Sequence, residues 1–167
     1  DEHWTWKLAG EALQWARTAV DVHPGRAHLW ADLGGVHLRI LTDLGGTDHD
    51  VGAASKALAR ASELDPHLPW YWLERARLER LIGNPTEAIR LAKYALAQEP
   101  YTARGWLFLS RLELERGNND LAKAAFAEAE QNVGMRERQG LSDYERELLA
   151  VTPERLTTMR KELGLRN

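Results

Sequence analysis

The chain lacks cysteine altogether, which excludes a disulfide scaffold, a thiolate metal site and cysteine nucleophile chemistry. It also lacks any apolar run approaching about 18 residues and any basic segment followed by an apolar leader, so we expect neither a membrane span nor a signal peptide. Neither sign of charge dominates, because 22 basic residues stand against 25 acidic ones. The net charge of −3 therefore gives no general attraction to nucleic acid or to an anionic membrane. The absence of an initiator methionine predicts a segment of a longer protein.

Prolines end successive apolar-periodic segments at regular distances along the sequence. Pro66 and Pro100 are 34 positions apart, and Pro24 precedes Pro66 by 42, which is the same step plus eight residues. Four further pairs keep the step of 34: Trp72 and Trp106, Gly83 and Gly117, Ala88 and Ala122, and Ala95 and Ala129. Such a fixed period predicts an array in which each repeat contributes two helices.

These positions resemble the tetratricopeptide repeat (TPR) family over roughly residues 10 to 131. In that family a Trp opens the first helix of each repeat (helix A), a Gly lies at the turn to the second (helix B), and a Pro ends helix B. Three repeats match, at Trp30, Leu33, Gly34, Ala54 and Ala61; at Trp72, Gly83, Ala88, Ala95 and Pro100; and at Trp106, Leu109, Gly117, Ala122, Phe126 and Ala129. The pattern also has departures: Arg75 stands where a Leu is usual, and Glu79 and Glu113 stand where a Tyr usually packs.

The resemblance implies an all-α fold, a right-handed α-solenoid of about three and a half TPR hairpins with a C-terminal helical cap. We predict a single TPR domain over residues 1–167, with a leading half repeat at 1–24, complete repeats at 25–68, 69–102 and 103–133, and capping helices at 141–164. The leading half repeat is one helix from about Glu2 to His23. Its predicted apolar stripe consists of Trp4, Leu8, Ala12, Trp15, Ala19 and Val22.

Two further segments depart from the plain repeat. The eight extra residues of the first complete repeat fall around 42–50, where glycines and aspartates predict a mobile, exposed loop rather than a metal site built on His49. Beyond residue 131, Ser142 and Glu145 form a capping arrangement that predicts a helix to about residue 150. Thr152 and Pro153 then predict the start of a last helix, which we expect to end near residue 164.

No catalytic constellation is visible in the sequence. There is no HExxH motif, no phosphate-binding loop and no nucleophile elbow. The six histidines, at positions 3, 23, 28, 37, 49 and 67, are scattered without ligand spacing. We therefore predict a segment that is not an enzyme and that has no catalytic residue, cofactor or metal, although the parent protein could be an enzyme.

The resemblance implies that ligand contacts come from helix A, at four positions of each repeat that line a concave groove. In this sequence those positions hold His28, Asp32, Gly35 and Arg39; Trp70, Glu74, Arg77 and Leu81; and Arg104, Phe108, Arg111 and Glu115. Their spacing keeps each set on one face of its helix. Arginines with Trp70 and Phe108 between them predict a basic wall with aromatic platforms, suited to an acidic extended peptide, the C-terminus of a partner protein or an anionic glycan.

An alternative reading of this wall is a solvated face. Arginine outnumbers lysine 17 to 5 in the sequence, so many arginines on any exposed face will pair with Glu. A clamp for C-terminal carboxylates in some chaperone-binding TPRs uses a Lys and an Asn. Those positions hold Ala31 and Gly35 in one repeat, and Leu73 and Arg77 in the next, which argues against a co-chaperone.

The sequence leaves two functional hypotheses. The first is a non-catalytic scaffold that binds a segment of a partner protein in the groove. The second is the soluble, periplasmic TPR tail of a bacterial membrane glycan ligase or polymerase that assembles cell-surface polysaccharide or glycoprotein, because residues 106–117 and 144–149 look like tails of O-antigen ligases. Nucleic acid is not an expected partner. The first hypothesis leaves the cellular compartment undetermined, and the cytoplasm is then the default expectation.

Overall fold

The computed structural model describes residues 5–133 and 151–165, and all the regular secondary structure in them is α-helical. The helices are α1 (Trp6–Val22), α2 (Ala27–Asp43), α3 (Asp48–Leu64), α4 (Pro69–Leu81), α5 (Pro85–Gln98), α6 (Ala103–Glu115), α7 (Asn119–Val133) and α8 (Pro153–Glu162). The chain divides into two compact units, residues 1–84 and residues 85–167. The first unit holds α1–α4 and the second holds α5–α8.

In the first unit α2 and α3 form a helical hairpin, with α1 packed on α2 and α4 packed on α3 and in contact with α2. The hairpin is close because Gly34 has no side chain: a Cβ there would lie 2.6 Å from Leu58 Cγ. Leu38, Leu58 and Leu78 of α2, α3 and α4 meet in one buried cluster. Burial of apolar surface between neighbouring helices is what stabilises such an array, since a single hairpin has no core of its own.

In the second unit α6 and α7 form the hairpin, α5 contacts α6, and α8 contacts both α6 and α7. Phe126 of α7 is fully buried in a cluster with Met159 of α8 and Leu163, the residue that follows α8, and Leu107 and Leu114 of α6 pack against them. The sequence sets the start of α8, because the Thr152 hydroxyl accepts a hydrogen bond from the Arg155 N–H and Pro153 occupies the first turn. The helix predicted to end near residue 150 lies outside the described residues.

A tryptophan side chain forms the same hydrogen bond at each repeat boundary. The indole N–H groups of Trp30, Trp72 and Trp106 donate to the carbonyl oxygens of Pro24, Pro66 and Pro100, over 2.8, 2.8 and 2.7 Å. All three tryptophans are half-buried. The Trp that opens each helix A is therefore tied to the Pro that follows the preceding helix B, through a bond between residues six positions apart.

Residues 42–50 do not form the mobile, exposed loop predicted from their composition. Residues 42 and 43 end α2 and residues 48–50 begin α3, so the loop is limited to residues 44–47. Both helices have 17 residues, whereas α4 and α6 have 13, α5 has 14 and α7 has 15. Most of the insertion thus lengthens the hairpin by about one helical turn on each side. Thr47 caps α3 by a reciprocal pair of bonds with Asp50, which is why a helix can begin there.

The predicted apolar stripe of α1 is not the face that packs on the rest of the unit. The residues of α1 that pack against α2 and α3 are Val20 with Leu13 and Ala16, and Ala9 is also buried. Trp15 and Val22 are exposed by 76 % and 63 %. Position 4, the first residue of the predicted stripe, lies outside the described residues. The helix itself begins at Trp6 and is capped by Thr5, whose hydroxyl accepts a hydrogen bond from the Leu8 N–H.

Candidate partner-binding surface

The residues predicted to bind a partner lie on three helices. α2 carries His28, Asp32 and Arg39; α4 carries Trp70, Glu74 and Arg77; α6 carries Arg104, Phe108 and Arg111. α2 and α4 contact each other in the first unit, so their six residues lie on neighbouring helices. The three residues of α6 belong to the second unit and are described separately.

One of the predicted arginines of the first unit pairs with a carboxylate on its own helix. Arg39 donates from Nε to Asp43 Oδ2 over 3.1 Å, one turn along α2. The pKa of Asp43 is held below its ordinary value, first by a hydrogen bond from the Thr42 hydroxyl, then by Arg39, with a further contribution from the charge of Arg77. Arg39 of α2 is thus the direct partner of this exposed carboxylate, and Arg77 of α4 acts on it only through its charge.

Glu74 of α4 is not displayed to solvent as the sequence implied. It is 4 % exposed, and its Oε2 accepts from Arg77 Nη1 at 3.5 Å. Arg77 itself is half-buried, with 40 % of its side chain accessible. The buried Glu74 carboxylate therefore pairs with the Arg77 guanidinium, and Arg77 is the member of the pair that an incoming ligand can reach.

Trp70 is half-buried and packs against a cluster formed by Ala31, Ala61 and Tyr71. Part of its indole therefore belongs to the contact between repeats, and the remainder is accessible. Near the start of α2, on either side of Ala31, His28 and Asp32 are exposed. Protein atoms around the Asp32 carboxyl nevertheless desolvate it and raise its pKa, and the charge of His28 partly opposes this effect.

In the second unit the predicted surface residue Arg111 already has an anionic partner. Its Nη2 lies 2.8 Å from Glu162 Oε2, at the last residue of α8. Arg160 of α8 pairs with Glu130 of α7 and lies over the ring of Phe126. Arg104 and Phe108 are half-buried. The cap helix therefore contacts the face of α6 that the sequence assigned to a ligand.

Sequence reasoning missed a recurring polar contact at the turn between helices A and B. The same position of three successive A helices holds His37, Glu79 and Glu113. His37 Nδ1 lies 2.9 Å from Asp50 Oδ1, and both residues are buried. Glu79 and Glu113 accept from the side-chain amides of Asn84 and Asn118, over 2.9 and 2.8 Å. The signal was present as a Glu five positions before an Asn in two repeats.

The described part of the chain holds no grouping of three or more histidine or acidic side chains that could bind a metal ion. Over the same residues, no helix combines the length and the apolar character needed to cross a membrane.

Lys93 reaches the buried Glu113 at 3.9 Å, so this carboxylate has an amide and an ammonium as neighbours. The charged groups described above thus occur in pairs and small clusters on helix faces.

Comparison with known proteins identifies the fold. The sequence matches no protein-family model and none of the curated proteins. Among solved structures, a thermophilic TPR protein of Thermus thermophilus (TTC0263) aligns with a TM-score of 0.72 and 23 % identity over 95 % of this chain and 75 % of its own. The protein MamA aligns with a TM-score of 0.61 and 16 % identity over 95 % of this chain and 92 % of its own.

The TPR domain of Sgt2 from Aspergillus fumigatus aligns with a TM-score of 0.58 and 17 % identity, over 83 % of this chain and 79 % of its own. At these identities the likeness concerns the fold. The predicted all-α fold is thereby confirmed: the chain has the fold of the TPR proteins.

Proposed function

We propose that this segment is a non-catalytic scaffold that binds a segment of a partner protein through the predicted faces of its A helices, those of α2 and α4 in the first unit and that of α6 in the second. The observation that carries the proposal is that Arg39 of α2, which is exposed, and Arg77 of α4, which is partly accessible, lie on contacting A helices of two successive repeats. Trp70 adds a partly accessible aromatic ring on the same pair of helices. The TPR fold supports the proposal because stacked hairpins present their A helices side by side.

The partner that fits this surface best is an extended acidic peptide segment. Arg39 and Asp43 are both exposed, and exposed ion pairs contribute little to stability because solvent screens them, so an incoming carboxylate can replace Asp43 at little cost. Arginine suits this exchange because its planar guanidinium can bind a carboxylate through two hydrogen bonds. The C-terminal carboxylate of a partner protein or an anionic glycan carries the same negative charge and belongs to the same proposal.

The test is a pull-down from the organism of origin, followed by a salt titration of the captured complex. In the Arg77→Glu/Arg111→Glu variant, we expect the captured partner to be lost, because two cations of the proposed surface become anions. The matched control is Arg60→Glu/Arg90→Glu, which changes two arginines of B helices that pair with a Glu three positions away. Equal capture by the wild type and by both variants would remove the surface from consideration.

A second proposal rests on the sequence resemblance alone: the segment is the periplasmic tail of a membrane glycan ligase or polymerase. The resemblance of residues 106–117 and 144–149 to O-antigen ligase tails supports it. The parent gene decides between the two proposals. About ten apolar segments of some 20 residues upstream would favour the tail of a membrane enzyme, and a polar upstream region would dismiss it.

A further inference from the structure

A cleft between the two helices of the first hairpin lies away from the predicted partner-binding face. It has a volume of about 400 Å³ and is lined by one residue of α2 and four residues of α3: Trp30, Lys56, Ala59, Arg60 and Glu63. Trp30 stands two positions after His28 and two before Asp32, so at about 100° per residue it points to the opposite side of α2 from both. The cleft is therefore a second surface, separate from the face of α2 considered above.

The cleft stays open although its hairpin has a neighbouring helix on each side. α1 packs on α2 and α4 packs on α3, and neither of these helices lines the cleft. Both walls thus belong to one complete hairpin within the described residues. The cleft is not the uncovered end of the helical array.

The floor of the cleft is apolar. Trp30 is half-buried, and its indole N–H already donates to the Pro24 carbonyl oxygen over 2.8 Å, so the accessible part of the ring offers carbon atoms and its π face. Ala59 adds a methyl group beside it. Such a floor favours an aromatic side chain, because stacked and edge-to-face ring contacts add to the free energy of burying apolar area.

The rim of the cleft carries two cations against one anion. Arg60 donates from Nη1 to Glu63 Oε2 over 3.2 Å, one turn along α3. Lys56 is exposed and makes no ion pair with any residue that the structure describes. The residues three and four positions before and after it are Gly52, Ala53, Ala59 and Arg60. Since like charges one turn apart repel, a carboxylate bound beside Lys56 relieves an unfavourable pair.

The packing of the repeat does not account for these two cations. In the repeat register, the positions of Lys56 and Arg60 hold Arg90 and Tyr94 in α5, and Ala124 and Glu128 in α7. The same fold therefore accepts a neutral or an acidic side chain at these positions. The combination of Lys56 and Arg60 beside a Trp belongs to the first hairpin and not to the repeat as such.

We propose that this cleft binds an aromatic residue of a partner protein that has an acidic residue next to it in sequence. The aromatic ring lies against Trp30 and Ala59, and the carboxylate pairs with Lys56. A protein segment fits better than a small molecule, because the cleft is open to solvent along one side, whereas sites for small molecules bury most of the ligand surface. A basic segment is disfavoured, since it brings cations to a rim that already has an excess of them.

The test uses a synthetic peptide with one Phe between two Glu residues, titrated into the isotope-labelled 167-residue protein. The readout is the NMR signal of the Trp30 indole N–H, which the variant Trp30→Phe assigns by its disappearance. We expect this signal to shift on titration, and the dissociation constant to rise at least about fivefold in Lys56→Glu. The matched control is Lys123→Glu, which reverses an exposed lysine of another B helix, α7, and should leave the dissociation constant unchanged.

Two further peptides separate the two contacts. One has Ala in place of Phe and the other has Gln in place of both Glu residues, and we expect each to bind more weakly than the first. A Trp30 signal that does not move at millimolar peptide would overturn the proposal. Equal binding of all three peptides, or an equal effect of Lys56→Glu and Lys123→Glu, would also overturn it. Melting curves followed by circular dichroism check that the variants stay folded.

The inference goes beyond the proposed function, and its failure can be told apart from a failure of that function. Arg77→Glu changes the A-helix surface and should leave the Trp30 titration unchanged. In the pull-down, Arg60→Glu/Arg90→Glu alters the cleft and leaves the A-helix surface intact. A partner lost only in that variant therefore uses the cleft, and one lost only in Arg77→Glu/Arg111→Glu uses the A helices.

Discussion

At the scale of single residues, one position of helix A holds a polar side chain in each repeat, and this side chain makes a polar contact at the following turn. The Tyr that usually packs at this position is replaced by His37, Glu79 and Glu113. Each reaches a partner beyond the turn, Asp50 in the first case and an Asn in the other two. A buried polar group must find a hydrogen-bond partner, so these pairs link helix A to the turn rather than to the core. The substitution could be read in the sequence, as could the Asn five positions after each Glu, whereas the pairing of His37 with Asp50, 13 positions away, could not.

Asp50 offers a prediction at this scale. In Asp50→Asn we expect a loss of about 1–2 kcal/mol in the free energy of unfolding at neutral pH, because the bonds of Asp50 to Thr47 and His37 are weakened. The measurement is urea denaturation of the variant and the wild type. The control Asp48→Asn changes another acid of the first turn of α3 that is exposed, and it should cost at most a few tenths of a kcal/mol.

The same substitution has a predictable pH dependence. Burial works against ionisation of Asp50, but hydrogen bonds from the Thr47 N–H, His37 and the Thr47 hydroxyl outweigh it and hold its pKa below the ordinary value. A carboxyl with a lowered pKa in the folded protein stabilises it above the unfolded pKa of about 3.9, and this contribution is lost as the pH falls through the folded pKa. The difference between Asp50→Asn and the wild type should therefore shrink below about pH 4. A difference that grows in acid would contradict the assignment.

At the scale of the helices, close packing depends on which side of a helix carries a glycine. A Cβ at Gly34 would lie 2.6 Å from Leu58 Cγ and 2.7 Å from Leu58 Cδ2, whereas a Cβ at the next residue, Gly35, has no atom within 4 Å. The two glycines are neighbours in sequence and look alike there. Their difference arises only when α3 packs on α2.

Alanine at these two positions should shift stability in opposite directions. Gly34→Ala should lower the free energy of unfolding by about 1–3 kcal/mol, because Leu58 must move to admit the methyl group. Gly35→Ala should raise it by up to about 1 kcal/mol, since alanine is the better helix former and meets open space. Urea denaturation of both variants checks this pair. Changes of the same sign would mean that the α2–α3 contact is not as tight as described.

The lengths of the helices were harder to predict than their existence. The apolar period and the capping residues indicate each helix, because both signals lie within a few residues. The extra turns of α2 and α3 were missed because residues 42–50 have the composition of a loop. They are helical because Thr47 and Asp50 cap α3 and His37 pairs with Asp50 across the hairpin. The last of these contacts joins residues 13 positions apart and is invisible to a local pattern.

At the scale of the whole molecule, acid should destabilise the fold. Asp43, Asp50 and Glu154 have pKa values below their ordinary ones, so each stabilises the folded state above the unfolded carboxyl pKa and loses this contribution in acid. Asp32 has a raised pKa and acts in the opposite sense, its favourable contribution being lost as the pH rises through the folded value. Among the residues that the structure describes, three such carboxyls oppose one, so we expect the melting temperature to fall as the pH is lowered from about 5 towards 2.

Thermal melting followed by circular dichroism across this pH range is the measurement. Asp32→Asn separates the opposing contribution: it should raise the melting temperature slightly at pH 7, where the desolvated carboxylate is ionised, and leave it unchanged well below the unfolded pKa of about 3.9. Salt should weaken the acid effect, because Asp43 and Glu154 are exposed and their interactions are screened. A melting temperature that rises on acidification would show the opposite balance.

The candidate surface shows how far sequence reasoning extends at this scale. The positions on α2 and α4 could be assigned from the repeat, and these two helices do contact each other. The ion pairs of the surface could not be predicted. Three arginines that the sequence presented as available to a ligand each have a carboxylate partner: Arg39 pairs with Asp43, Arg77 with Glu74 and Arg111 with Glu162. Glu162 and Arg111 are 51 positions apart, and only the packing of α8 on α6 brings them together.

The amino-acid sequence by itself determined that this chain is a series of helical hairpins of about 34 residues, because helix period, caps and turn residues act over a few positions and recur. Tertiary structure alone decided which side of α1 is buried, how far α2 and α3 extend, and which arginines already hold a carboxylate. These features depend on the helix that packs alongside, and the same apolar stripe can be covered or open according to whether that neighbour is present.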